Sequence, residues 1–187
     1  AGSGVISSGE YKDVRISGAA KITGDIVAES IKISGSVKAE GELKANEIKI
    51  AGSCKALGDL KAKTVSISGS VNIEANIDAE DLKIAGIIKC SGDLNGENIY
   101  VDSKASTLNN VFGENIFIGM ENGRNTWLKA NEVNLIEATK VEINHCKVKT
   151  IRATDIVIDI NCTVDVVEYS GTCEVHEKSK VKELIKV

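Results

Sequence analysis

Apolar and polar side chains alternate through most of this chain, and the alternating pattern itself recurs every 17 residues. The units read VRISGAAKITGDIVAES from Val14, IKISGSVKAEGELKANE from Ile31 and IKIAGSCKALGDLKAKT from Ile48, then restart at Val65, Leu82, Ile99 and Ile116, seven units in all with no insertion or deletion. Positions 1, 3, 7, 9 and 13 are small or apolar. Position 1 runs Val14, Ile31, Ile48, Val65, Leu82, Ile99, Ile116 and Val133, and position 3 runs Ile16, Ile33, Ile50, Ile67, Ile84, Val101, Ile118 and Leu135. Position 13 runs Ile26, Leu43, Leu60, Ile77, Leu94, Val111 and Leu128. A period of two buries one face of a strand, and β-branched residues suit a pleated surface; an amphipathic helix needs three- and four-residue spacing. Glycine at positions 5 and 11 (Gly18, Gly35, Gly52, Gly69, Gly86; Gly24, Gly41, Gly58, Gly92) marks corners, where it is expected to supply backbone conformations that a Cβ resists. A third corner is expected near Ala28, Ala45, Ala62 and Ala79.

The pattern therefore predicts an all-β fold, a single-stranded β-solenoid of about 17 residues per coil, each coil holding three short strands. Stacked about 4.8 Å apart, the coils place like residues above one another, giving roughly ten or eleven coils and a rod of roughly 50 Å. The whole chain, 1–187, reads as one domain, with regular coils over 14–132 and less regular ones over 133–187. Alternation persists in IVIDINCTVDVV and CEVHEKSKVKELIKV, so strands are expected to continue to the end of the sequence.

Composition narrows the chemistry. Aromatics are 3%, which suits a thin bore filled by aliphatic side chains, and the charged content of 27% fits a folded, soluble surface. No apolar run approaches 18 residues, so no membrane span is expected, and the opening AGSGVISSG lacks the features of a signal peptide. The five cysteines, Cys54, Cys90, Cys146, Cys162 and Cys173, form no CxxC pair and no ligand spacing with His145 or His176. They read as reduced packing residues of a cytoplasmic protein, with Cys54 and Cys90 at inward positions. Outward lysines form ladders at positions 2 (Lys32, Lys49, Lys83), 8 (Lys21, Lys38, Lys55, Lys89) and 14 (Lys44, Lys61, Lys129), with Arg15 heading the first. Acids face them at positions 12, 16 and 17. Such a stripe could grip a polyanion, but a net charge of −4 and lysines spread over three faces favour a solvated surface, so nucleic acid is not an expected partner.

The sixth and seventh units break the pattern. Ser103, Asn109, Met120 and Thr126 stand where earlier units favour glycine, and outward positions acquire Tyr100, Phe112, Phe117 and Trp127. Two readings stay open for these rings: a patch that contacts a protein partner, or packing over a locally widened bend.

The unit I-K-I-x-G-S-V-K-A-x-G-x-L-K-A resembles the bactofilins, polymer-forming cytoskeletal proteins of bacteria. The opening GSGVISSGEYKDVRISG and closing VEYSGTCEVHEKSKVKELIKV are similar to the longer bactofilins of Gram-positive bacteria. The resemblance implies a right-handed parallel β-helix of triangular section and nucleotide-independent filaments made by end-to-end stacking. It also implies a role in cell shape, division or flagellar assembly. The chain departs from the family's pattern in having no proline and only Val5 and Ile6 as apolar residues near its start, so direct membrane binding is not expected.

Polymerisation also follows from the fold, since a solenoid leaves an unpaired ladder and an open core at each end, and no amphipathic capping helix is evident. The expected contact residues are Ile6, Val14 and Ile16 at one end and Val175, Val181 and Leu184 at the other; like or unlike ends could meet. The expected partners are other copies of the chain, with a protein or cell-envelope component as a further partner. The alternative function is a monomeric adaptor using the Tyr100–Trp127 region. Least favoured is an acyltransferase of the hexapeptide-repeat class, which resembles coils of 18 residues with a catalytic histidine. Both histidines here lie outside the regular repeat. No catalytic residues, metal ligands or cofactor are expected.

Overall fold

The computed structural model describes residues 3–120 and 129–187. It begins with β1 (Ser3–Ile16) and β2 (Ala19–Ile33). Short and longer strands then alternate: β3 (Ser36–Ala39), β4 (Leu43–Ile50), β5 (Ser53–Ala56), β6 (Leu60–Ile67), β7 (Ser70–Ile73), β8 (Ile77–Ile84), β9 (Ile87–Cys90) and β10 (Leu94–Asp102). Three strands of 13 residues follow: β11 (Thr107–Gly119), β12 (Asn131–Ile143) and β13 (Cys146–Ile158). The chain ends with β14 (Thr163–Tyr169), β15 (Cys173–Val175) and β16 (Lys180–Lys186). Every pairing is parallel, the strands join into one sheet, and there is no helix among the described residues. This is the expected β-solenoid, of about ten turns.

Through β10 the rungs are 17 residues apart: Ile31 pairs with Ile48, Ile48 with Val65, Val65 with Leu82 and Leu82 with Ile99. The inward columns form one continuous core of Ile, Val and Leu, most of them without solvent contact. Cys54 and Cys90 sit in it as expected. The expected third corner does not interrupt its strand. Hydrogen-bonded pairing runs on through Ala45–Ala62–Ala79, so each early coil holds one four-residue and one eight-residue strand. A switch in the inward–outward phase marks the bend: Leu43 and Ile48, five residues apart, are both buried.

The glycine columns have a different cause from the expected one. Of the corner glycines at positions 5 and 11, only Gly24 has a left-handed φ, +97°. What the others supply is room between coils. A Cβ on Gly35 would lie 1.9 Å from the Gly18 carbonyl oxygen, one on Gly52 2.0 Å from that of Gly35, and one on Gly69 1.8 Å from that of Gly52. On the second column, a Cβ on Gly41 or Gly58 would lie 2.2 or 2.4 Å from the carbonyl carbon below. The corners stack backbone on backbone, closer than any side chain permits.

Beyond β10 the coil is rebuilt. Ile116 pairs with Val141, not with Val133, so the coil that starts at Ile116 spans 25 positions. Val133 pairs with Leu108 and Leu135 with Asn110, which removes both from the position 1 and 3 columns; Val141 and Ile143 take those places. Leu135 is only half-buried. The seven-unit register without insertion therefore ends within the unit that starts at Ile116. Thr126 and Leu128 lie outside the described residues. Later rungs shorten, with Val141 opposite Ile156, before a 17-residue step returns at Ile156–Cys173. The first corner also changes, adopting left-handed residues at Ala105, His145 and Asn161 in place of a glycine.

A buried polar cluster fills this changed corner. Asn131, without solvent contact, accepts from the Ser106 amide and the Ser103 hydroxyl, both at 3.0 Å, and donates to the Ser103 carbonyl at 2.8 Å. The Ser106 hydroxyl lies 2.7 Å from that of Ser103 and accepts from the Ile88 amide at 3.1 Å. Every member is satisfied, which a low-dielectric interior requires.

Candidate functional site

The first and last coils differ from the rest because each has a strand edge with no partner among the described residues. At the N-terminal edge, β1 pairs only with β2 and contains a bulge between Ser7 and Gly9. The Tyr11 hydroxyl donates to the Ser7 carbonyl at 3.0 Å across that bulge. At the opposite edge β15 pairs with β13 and β16 with β14. Of the six residues expected at the ends, Val14 and Ile16 are buried at the start of the core, while Ile6 and Val181 pack half-buried against it. Val175 and Leu184 are 40% and 51% exposed, and Ile185 beside them is 41% exposed. Isolated apolar exposure is ordinary; here it gathers on a strand edge, where backbone groups are also unpaired.

Sequence reasoning did not single out Gly9, Tyr11, Arg15, Glu174 or Lys186 at these edges. Gly9 and Tyr11 belong to the β1 bulge, and Lys186 places its Nζ 5.6 Å from the centre of the Tyr169 ring. The signal available was column membership: the register puts Tyr169 beside Lys186 and Arg15 in the column of Lys32.

The aromatic residues divide over two faces. Tyr100 and Phe117 are neighbours in one outward column and stack with ring centres 4.9 Å apart at 17°, and Lys83 lies 5.5 Å over the other face of the series, at Tyr100. Phe112 belongs to a different column, opposite Asn95 and Glu137. Trp127 lies outside the described residues. The Tyr100 and Phe117 rings thus spend their flat faces on each other, as a ladder of stacked aromatics does.

Several lysines of the ladders are paired with carboxylates of their own surface. Glu40 takes Lys21 at 3.0 Å and Lys38 at 2.9 Å, Glu47 takes Lys49 and Lys32, and Lys55 meets Glu74 at 2.8 Å. The hydrogen bonds from Lys38 and Lys21 hold the Glu40 carboxyl below its usual range, as that from Lys49 does for Glu47. All are exposed enough that each pair contributes little to stability. Position 12 has a second task. Asp25, Asp59 and Asn76 each accept the backbone amide of the residue one coil on, Glu42, Asn76 and Asp93, at 2.8 to 3.0 Å.

His145 is buried, with Nδ1 3.2 Å from Asn144 Oδ1 and Nε2 3.0 Å from the Asn161 side-chain amide. Both ring nitrogens are therefore engaged by neighbouring asparagine side chains. No group of three or more metal-ligating side chains occurs among the described residues. No described helix is long and apolar enough to cross a membrane. All five cysteines are free. Burial pushes the thiols of Cys54, Cys90 and Cys162 up to about 11 and Cys146 well above the ordinary value. Thiolate, the reactive form, is therefore scarce until the pH nears 11. With a thiol reagent at pH 8, the folded chain is expected to react at Cys173 alone and all five thiols only after denaturation. Rapid reaction of more than one thiol in the folded chain would show that the core opens readily.

No curated protein and no solved structure gives a significant match to the chain. The family model for bactofilin, described as polymer-forming cytoskeletal, matches residues 3–78. That segment holds the first coils of the regular solenoid, whose 17-residue rung and glycine columns continue beyond it. Its coils run on without a break in the core into those that follow. By this match residues 3–78, somewhat under half of the chain, are similar to the bactofilin family of polymer-forming cytoskeletal proteins.

Proposed function

We propose that the chain is a non-enzymatic structural protein whose copies stack end to end into nucleotide-independent filaments, a scaffold for cell shape, division or envelope and flagellar assembly. The observation that carries this reading is the pair of unpartnered strand edges with an exposed apolar set, Val175, Leu184 and Ile185, at the C-terminal one. An edge of this kind offers a second copy both hydrogen-bonding groups and a core to extend. The lysines held by Glu40, Glu47 and Glu74, the buried His145 engaged by two asparagines and the stacked Tyr100–Phe117 rings give no comparable support to polyanion binding, catalysis or an adaptor surface.

Val181, half-buried in the last coil, provides the test. Val181→Asp places a charge at the exposed end of the core, where burial against another copy would be costly. The variant is expected to retain the β-sheet circular dichroism of the parent while its sedimentable fraction falls and its assemblies shorten. Filaments of unchanged length would exclude the C-terminal end as the contact.

A further inference from the structure

We infer that copies also associate side by side, the lysine-lined face of one rod receiving the acidic bend of its neighbour. The pairing rests on the filament reading above and adds a contact between filaments to the one along them.

Each regular coil is a short strand and a longer one bent near its alanine, so the bend lies across the coil from the short strand. Outward positions of the short strands stack into two columns, Ser36–Ser53–Ser70 and Lys21–Lys38–Lys55. Small serines beside long lysines leave a shallow trough of about 750 Å³ along this face. Glu40 is shared by Lys21 and Lys38, Glu74 takes Lys55, and Lys89 has no ion-pair partner among the described residues, so the face stays net positive.

The bend carries the opposite charge. Glu80, Glu97 and Glu114 form one exposed column there, placed by the pairs on either side, Ala79–Gly96–Gly113 and Asp81–Asn98–Asn115. Glu97 and Glu114 have no ion-pair partner among the described residues, and Glu80 meets Lys63 at 4.0 Å. Ala79, Gly96 and Gly113 keep one flank of the column low, so the carboxylates stand as a ridge that a shallow trough can receive.

Both ladders rise by one coil per step, about 4.8 Å, so their charges can meet in register. A neighbour offset by three coils, ~14 Å, sets Lys21, Lys38 and Lys55 against Glu80, Glu97 and Glu114. Turned end for end, it keeps Lys38 against Glu97 at the centre. Two lysine faces would set like charges together, which leaves this face needing an acidic mate. One exposed ion pair contributes little, but a filament repeats the set in every copy, and the contact holds by number.

The experiment compares low-speed pelleting, which collects bundles, with high-speed pelleting, which collects all filaments, and adds negative-stain electron microscopy of the full chain. The parent should form bundles at about 0.05 M salt that separate into filaments one solenoid wide at about 0.5 M. Lys38→Glu and Glu97→Lys, both at exposed positions, should each lower the low-speed pellet about fivefold and leave the high-speed one unchanged. The double variant should restore it. Lys44→Glu, an equal change of charge outside the ladders, should bundle like the parent. The pairing is overturned, and the filament reading stands, if parent filaments stay single at low salt or the double variant is no better than the singles. A Lys44→Glu effect as large as that of Lys38→Glu, or binding of the lysine face to anionic vesicles or duplex DNA in place of bundling, overturns it equally. If the parent forms no filaments, the filament reading falls and sedimentation velocity of the short rods decides the pairing. Salt-sensitive dimers restored by the double exchange then support it, and monomers at low salt overturn it.

Discussion

Gly52→Val is expected to lower the melting temperature by about 6–12 °C, corresponding to about 3 kcal/mol or more for a chain of this size. The added Cβ would sit 2.0 Å from the Gly35 carbonyl oxygen. No rotamer relieves this, because the obstacle is backbone. The coils would have to part, and parting them stretches the bonds that flank the glycine, Ala51 amide to Ile33 carbonyl at 2.7 Å and Ser53 amide to Gly35 carbonyl at 3.0 Å. Gly4 is the control, since a Cβ there meets nothing within 4 Å and Gly4→Ala should leave the melting temperature within experimental error. A small effect of Gly52→Val, measured by thermal circular dichroism, would mean that the coils tolerate wider spacing than the stacked corners imply.

Asn131→Ala is the second large effect expected, a loss of about 4 kcal/mol. It removes the acceptor for the Ser106 amide and the Ser103 hydroxyl and the donor to the Ser103 carbonyl, leaving three polar groups in a site that solvent does not reach. Each such orphan costs roughly 1–3 kcal/mol. The damage should concentrate where the coil changes shape. In hydrogen exchange, protection should fall first around β11 and β12, while the glycine-column coils β3 to β8 stay protected, since a solenoid is stabilised chiefly by neighbouring coils. Uniform loss of protection along the rod would contradict this division.

The architecture was legible because the signal repeats. Seven successive position 1 residues and the alternation around them leave little choice of strand face, and the inward columns from Ile31 to Ile99 lie where the pattern puts them. The reason for the glycines was not legible. A contact between Gly52 and Gly35 is made through space across a whole coil, and composition at a corner suggests dihedral freedom first. The lost register at Val133 has a similar cause. Val133-Asn134-Leu135 stands 17 residues after Ile116 and copies the alternation, but a period of two fits any strand equally and carries no information on which coil position it occupies. At the ends, alternation marks Val175 and Leu184 as inward-facing but does not tell that no described strand covers them; that requires the register.

The central claim is that this solenoid polymerises through its ends. Negative-stain electron microscopy of the purified chain over a concentration series, without nucleotide, tests it most directly. Filaments one solenoid wide that lengthen with concentration are the expected result. Short rods of uniform length at every concentration would contradict it.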